Sequence, residues 1–170
     1  MAKLEVLHFP DDRLRNKAEP VSDITSEIKE IAHNMLETMY AEGGIGLAAT
    51  QVNIAKRIVV IDLSESKDEP LFLINPKVLE KDGVESMREG CLSVPDYFEV
   101  VERAEHIKYQ YQTLDNEIIE SDTDGLLAVC IQHEIDHLDG KLFVDYLSPL
   151  KQQRLKKKIA KQEKLQQNVL

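Results

Sequence analysis

At 170 residues, 42% hydrophobic and 31% charged, the chain can bury roughly 70% of its unfolded surface, which suits one domain with its own core. Two cysteines exclude a disulfide framework and point to a reducing, cytoplasmic setting; the charged N-terminal stretch is no signal peptide, and the longest uncharged stretch, 43–55, is no membrane span. The net charge of −10 is divided unevenly: residues 151–170 hold seven Lys/Arg against one Glu, a formal +6, which leaves −16 on residues 1–150.

Ile28, Ile31, Met35 and Met39 recur at helical spacing after a capping Thr25 and predict a helix near 26–41. The segment from Gly43 to Gln51 follows, with three glycines in its first four residues. It lacks the Gly-Lys-Ser/Thr ending of a phosphate loop, so it reads either as backbone brought close to a ligand or as a loop before small packing residues. Residues 57–62 and 71–75 read as buried strands bounded by breakers. Gly90 and Pro95 mark a turn entering an extended segment. Ile107, Tyr109 and Tyr111 alternate with polar residues, and Asp115 and Asn116 form a hairpin turn toward a strand at 117–119. Leu126, Leu127, Val129, Cys130 and Ile131 surround most of a helical circumference, which predicts a buried helix capped by Ser121 to Asp124 and stopped at Gly140. Another helix is expected from about Ser148. The order is α+β, with strands packed around a central buried metal-binding helix, an N-terminal helix and a C-terminal basic helix.

His133 and His137 are four apart, so on a helix both imidazoles can reach one ion. Glu134 stands about 100° further round, where its carboxylate can flank the ion as a general base without ligating it. Two solvated or capping histidines are the alternative. The intervening glutamate and the preceding apolar run favour the ion, because burying such groups without a cation is costly. A catalytic divalent site has three protein ligands and an open position. Cys130 would sit about 10 Å from His137 along the axis, so it reads as a small buried wall residue. Cys91 can approach from a second direction as a ligand, or be a buried free thiol. His8, His33 and His106 lack partners at ligand spacing and are assigned to surface or capping roles.

Three motifs in order resemble those of the peptide deformylases, from about Val6 to Leu150: Gly44 to Gln51 resembles GφGφAAxQ, Glu89 to Ser93 resembles EGCφS, and Gln132 to His137 resembles QHExDH. The resemblance implies a single catalytic domain over 1–150, with 151–170 as its basic helical extension. It implies that Cys91, His133 and His137 hold one divalent ion, Fe(II) by expectation, although one thiolate and two imidazoles also suit Zn, Ni or Co. Glu134 would be the general acid/base, and the Gln51 amide and Leu92 backbone N–H would stabilise the oxyanion. Gly46 would accept a backbone contact from the substrate. Ile45, Met87, Leu126, Val129, Cys130 and His133 would line a methionine pocket, and Glu89 and Arg103 would pair behind the cysteine loop. Phe98 and Glu102 stand where several bacterial relatives have arginine and proline, which bears on contacts to the distal peptide.

The implied activity is hydrolysis of the formyl group from the N-terminal formylmethionine of nascent polypeptides by a monomer with no membrane partner. Part of the Lys151, Arg154, Lys156, Lys157, Lys158, Lys161 and Lys164 cluster would dock on ribosomal RNA; the alternative is a solvated amphipathic helix with Leu150, Leu155 and Ile159 packing down. Two rivals remain on the motifs: a zinc protease sharing HExxH, and an RNA-binding protein with a structural metal.

Overall fold

The first helix forms where the pattern places it. In the computed structural model, which describes residues 2–168 with side chains through Lys164, α1 spans Ser26–Ala41 and the Thr25 hydroxyl accepts from Ile28 N at 3.3 Å. Ile28, Ala32, Met35 and Met39 face inward, while Ile31 is half-buried. Gly43, at φ +74°, turns the chain out of the helix.

A five-stranded sheet follows, in spatial order β1 (Gly46–Ala48), β2 (Ile58–Ile61), β3 (Leu71–Asp82), β6 (His106–Gln112) and β7 (Ile118–Asp124). The hairpin of β4 (Glu85–Cys91) and β5 (Val94–Arg103) forms a second sheet. Pairings between these strands are antiparallel, giving a mixed α/β chain in the α+β manner. All four residues of β2 are buried, as their unbroken apolar run implies.

Three boundaries differ from expectation. β3 runs on past Asn75 and Pro76, because these breakers form a bulge inside the strand and do not end it: the register with β6 shifts between Ile74 and Lys77, with Asn75 at φ +51°. The Asn75 side chain uses that geometry to pair with the backbone of Val21, accepting from its N–H and donating to its carbonyl, both at 2.8 Å. The extended segment at Pro95 belongs to the β4–β5 hairpin, whose first strand had no apolar alternation to reveal it. Ser121 to Asp124 continue β7 and do not cap the next helix: Asp124 occupies the cap position in extended geometry, with no side-chain capping bond.

That helix, α2, spans Gly125–Leu138 and is buried continuously from Ala128 to Glu134, then again at His137 and Leu138. Ala128, Cys130, Ile131 and Leu138 pack against Ala48, Val59, Ile61, Leu73, Ile107 and Tyr109 of the large sheet. Gly140, at φ +79°, ends it as expected, with Gly140 N donating to His137 O at 3.0 Å. A 3₁₀ turn at Phe143–Tyr146 leads into α3 (Pro149–Asn168). Leu155 of α3 is buried with Phe143, Val144 and Leu147 against Val94 and Val101, so the helix is seated on the core. Leu150 is 57% exposed and does not join this packing. Among the described residues no helix is long and apolar enough to cross a membrane.

Candidate active site

Helical spacing and a strand end bring three ligand atoms to one point. On α2, His133 Nε2 and His137 Nε2 face each other at 3.1 Å. Cys91, the last residue of β4, places Sγ 3.3 Å from His137 Nε2. Ligands bound at about 2.0–2.3 Å to one ion stand roughly 3–4 Å apart, so this triad fits a tetrahedral transition-metal centre. Burial pulls the His137 pKa well below its ordinary value, with the neighbouring His133 adding to the effect, and this keeps a nitrogen lone pair for a cation. Cys130 is not among the converging atoms. Its thiol is buried and its pKa raised well above the ordinary value by that burial, which suits a wall residue better than a nucleophile.

The orientation of His133 is set from behind. Its Nδ1 meets Glu89 Oε1 at 2.7 Å, which turns Nε2 toward the triad. Glu89 also receives Arg103 through two bonds, at 2.6 and 3.0 Å, and Arg103 donates to Asp136 Oδ2 at 2.8 Å. Burial alone would raise the Glu89 pKa, but the His133 and Arg103 bonds outweigh it and hold the carboxyl low. The expected Glu89–Arg103 pair is therefore present, and it supports the histidine as well as the cysteine strand.

Glu134 lies beside the triad, with Oε1 4.0 Å from His137 Nε2. That oxygen is buried with no hydrogen-bond partner among the described residues. An orphaned buried carboxylate oxygen is rare and calls for a polar occupant beside it. Burial pushes the Glu134 pKa up to about 7, against the opposing pull of the His133 and Arg103 charges. A value near neutrality suits a group that accepts and returns a proton. Gly46 permits this placement: a Cβ there would fall 2.6 Å from Glu134 Oε2 and 2.9 Å from Cys130 Sγ.

Gln51 sits in a buried 3₁₀ turn after β1. Its Oε1 accepts from Ala48 N at 2.9 Å, which fixes the amide so that Nε2 donates to Ser93 Oγ at 3.0 Å and faces Cys91 Sγ at 3.5 Å. Leu92 occupies the turn between β4 and β5, its side chain close against Gly44. Gln51, Cys91, Leu92, His133 and Glu134 open on one cleft of about 600 Å³, whose wall includes Ile45, Gly46, Met87, Leu126, Val129 and Cys130. The structure thus brings together every site residue named from the sequence, with Arg103 behind the wall.

It also gives contacts to residues that the sequence left without a role. Ser93 anchors the Gln51 amide, and Phe143 stacks on the His133 ring with centroids 6.0 Å apart. His8, assigned to the surface, is exposed and also lines the cleft, beside Glu42 and Phe98. His33 packs edge-on against Phe72, and His106 lies 3.5 Å from Asp122. Ser93 closes the Glu89 to Ser93 motif, but His8 and Phe143 lie outside all three motifs, so no short pattern contains them.

Comparison with known proteins identifies the family. The family model described as polypeptide deformylase matches residues 3–153. A crystal structure of a peptide deformylase from Legionella pneumophila is 40% identical, covering 99% of this chain and 100% of that one, with a TM-score of 0.92. The peptide deformylase from Ehrlichia chaffeensis in complex with actinonin is 38% identical over 96% of this chain and 99% of that one, with a TM-score of 0.91. One from Synechococcus elongatus, also in complex with actinonin, is 42% identical over 96% of this chain and 89% of that one, with a TM-score of 0.88. With the family model spanning most of the sequence and solved relatives superposing over nearly all of it, the chain belongs to the polypeptide deformylase family of metal-dependent amide hydrolases.

Proposed function

We propose that the cleft receives the N-formylmethionyl end of a nascent polypeptide and that the formyl amide is hydrolysed beside Glu134. The observation that carries this reading is the unpartnered Glu134 oxygen next to Cys91, His133 and His137, with the Gln51 amide held on the same cleft. Cys91, His133 and His137 would hold one divalent ion. Fe(II) is expected by resemblance, and the same donors suit Zn, Ni or Co. When bound, the ion supplies Lewis-acid polarisation and eases deprotonation of water.

The protein's own groups do the remaining work. Glu134 takes a proton from the attacking water and later delivers it to the departing amine. The Gln51 Nε2–H and the Leu92 backbone N–H donate to the carbonyl oxygen as it gains charge. Ile45, Met87, Leu126, Val129, Cys130 and the His133 ring surround the methionine side chain, and the Gly46 backbone aligns the peptide. Glu89 and Arg103 keep His133 in one orientation.

On this reading the enzyme works as a monomer in the cytoplasm, where nascent chains emerge. Exposed Arg154, Lys156, Lys157, Lys158, Lys161 and Lys164 on α3 dock it on ribosomal RNA. Lys151 is already paired with Glu99 at 3.3 Å and contributes less to that contact.

The test is anaerobic purification with metal analysis, followed by assays on a short formylmethionyl peptide and its unformylated twin. Formate release from the first, inhibited by actinonin, is the expected result. Cleavage of internal peptide bonds in the second would replace this reading with a protease.

A further inference from the structure

Behind α2, on the side away from the peptide cleft, lies a second cleft of about 800 Å³ whose lining includes Arg103, Asp136 and Tyr146. The Tyr146 hydroxyl donates to Asp136 Oδ2 at 2.7 Å, the same oxygen that receives Arg103 at 2.8 Å. The Arg103 guanidinium also lies over the Tyr146 ring, 5.1 Å from its centroid. Arg103 and Asp136 are largely withdrawn from solvent, whereas Tyr146 is 51% exposed. A chain of contacts therefore runs from Tyr146 through Asp136, Arg103 and Glu89 to His133 Nδ1. On the same 3₁₀ turn, Phe143 stacks on the His133 ring itself.

We infer that Tyr146 is a positioning residue for His133: its hydroxyl and ring hold Asp136 and Arg103 in the one arrangement that keeps Glu89 on the histidine. This rests on the reading that His133 holds an ion. A half-exposed tyrosine bond made in competition with water adds little to folding stability, so its worth lies in orientation. Arg103 has two carboxylates to satisfy, and Tyr146 restrains the one that could pull it away from Glu89. Partners behind a metal-bound histidine typically alter metal affinity or activity by about 10- to 100-fold. Tyr146, three contacts beyond Glu89 along that chain, has a smaller share.

The test uses the full chain loaded with Co(II), whose absorption reports ligand geometry without reference to turnover. Tyr146→Phe removes only the hydroxyl. It should shift the cobalt bands, speed cobalt release to a chelator by about 3- to 10-fold and lower kcat with KM unchanged, at an unaltered Tm. Asp136→Asn should release cobalt about 10- to 100-fold faster. Adding Tyr146→Phe to it should change nothing further, because the hydroxyl acts through that carboxylate. A parent enzyme that takes up no cobalt would overturn the metal reading and this inference with it. A normal parent with unchanged spectrum and release rate in Tyr146→Phe would overturn this inference alone, as would effects that simply multiply in the double variant.

Discussion

Replacing Gly46 by alanine tests whether Glu134 must stand where the structure holds it. Gly46 does not occupy the left-handed region, so alanine can adopt its backbone without strain, and the cost comes from space alone. The new Cβ would lie 2.6 Å from Glu134 Oε2, and ordinary contact begins at 3.4 Å, so the carboxylate must retreat by about 0.8 Å. A displacement of roughly 1 Å at the reacting groups can cost on the order of 10²-fold in rate, or about 2.7 kcal/mol. Overpacking adds about 1–3 kcal/mol of lost stability. Gly46→Ala is therefore expected to fold and keep its metal while kcat on a formylated tripeptide falls about 10²-fold, as read by formate release, metal analysis and thermal melting. Adding Cys130→Ala removes the second clash, 2.9 Å to Sγ, and should recover part of the Tm without recovering kcat. A kcat within about threefold of the parent would refute the claim that this carboxylate works only in its observed place.

Cys91→Ser should lose tight metal binding and turnover together, Cys130→Ala should keep metal and alter methionine binding, and equal metal loss in both would contradict the assignment. Glu134→Ala should retain the ion and lose about 10²- to 10⁴-fold in rate; loss of metal alongside would make Glu134 a ligand or a structural support. Neutralising Lys156, Lys157, Lys158 and Lys161 to glutamine should weaken ribosome co-sedimentation at low salt and leave short-peptide hydrolysis intact, and undiminished co-sedimentation would reduce α3 to a solvated helix. Burial and the bond to Asp62 push the Tyr40 pKa up to about 12, above an unfolded value near 10. That stability is therefore present below pH 10 and lost as pH rises through 12. The urea-midpoint gap between the parent and Tyr40→Phe should be full at pH 8 and narrowed by pH 11; a gap constant across that range would count against it.

Much of this molecule was legible where one periodicity governed a segment. Ile28, Met35 and Met39 announced α1, and the run Ile58 to Ile61 announced a strand buried on both faces. The triad was legible because His133 and His137 obey helical spacing and Cys91 sits in a distinctive motif. The β4–β5 hairpin was not legible, because Glu85, Arg88, Glu89, Glu99, Glu102 and Arg103 interrupt any apolar alternation. One of the two strands' buried charges, Glu89, is inside because Arg103 and His133 meet it there, a reason that exists only in three dimensions. The extension of β3 failed for a related reason: Asn75 and Pro76 look like a stop until the partners of the Asn75 amide are known. Truncation after Leu150 would remove Leu155 from its buried cluster with Phe143, Val144 and Leu147, so charge replacement is the cleaner probe of the basic residues.

β1 ends the large sheet and is only three residues long, with Gly46 at its start facing the cleft. So short an edge gives another protein little to pair with on that side of the sheet. On the proposed reading, in which Gly46 aligns the peptide, it would also set the reach of the grip on a substrate. A strand laid along it can be held by its main chain for about three residues, or roughly 10 Å, whatever side chains follow the first. An enzyme that must accept the beginning of almost any protein gains from reading so little: beyond methionine it needs a short extended stub, and it can act before the emerging chain has begun to fold.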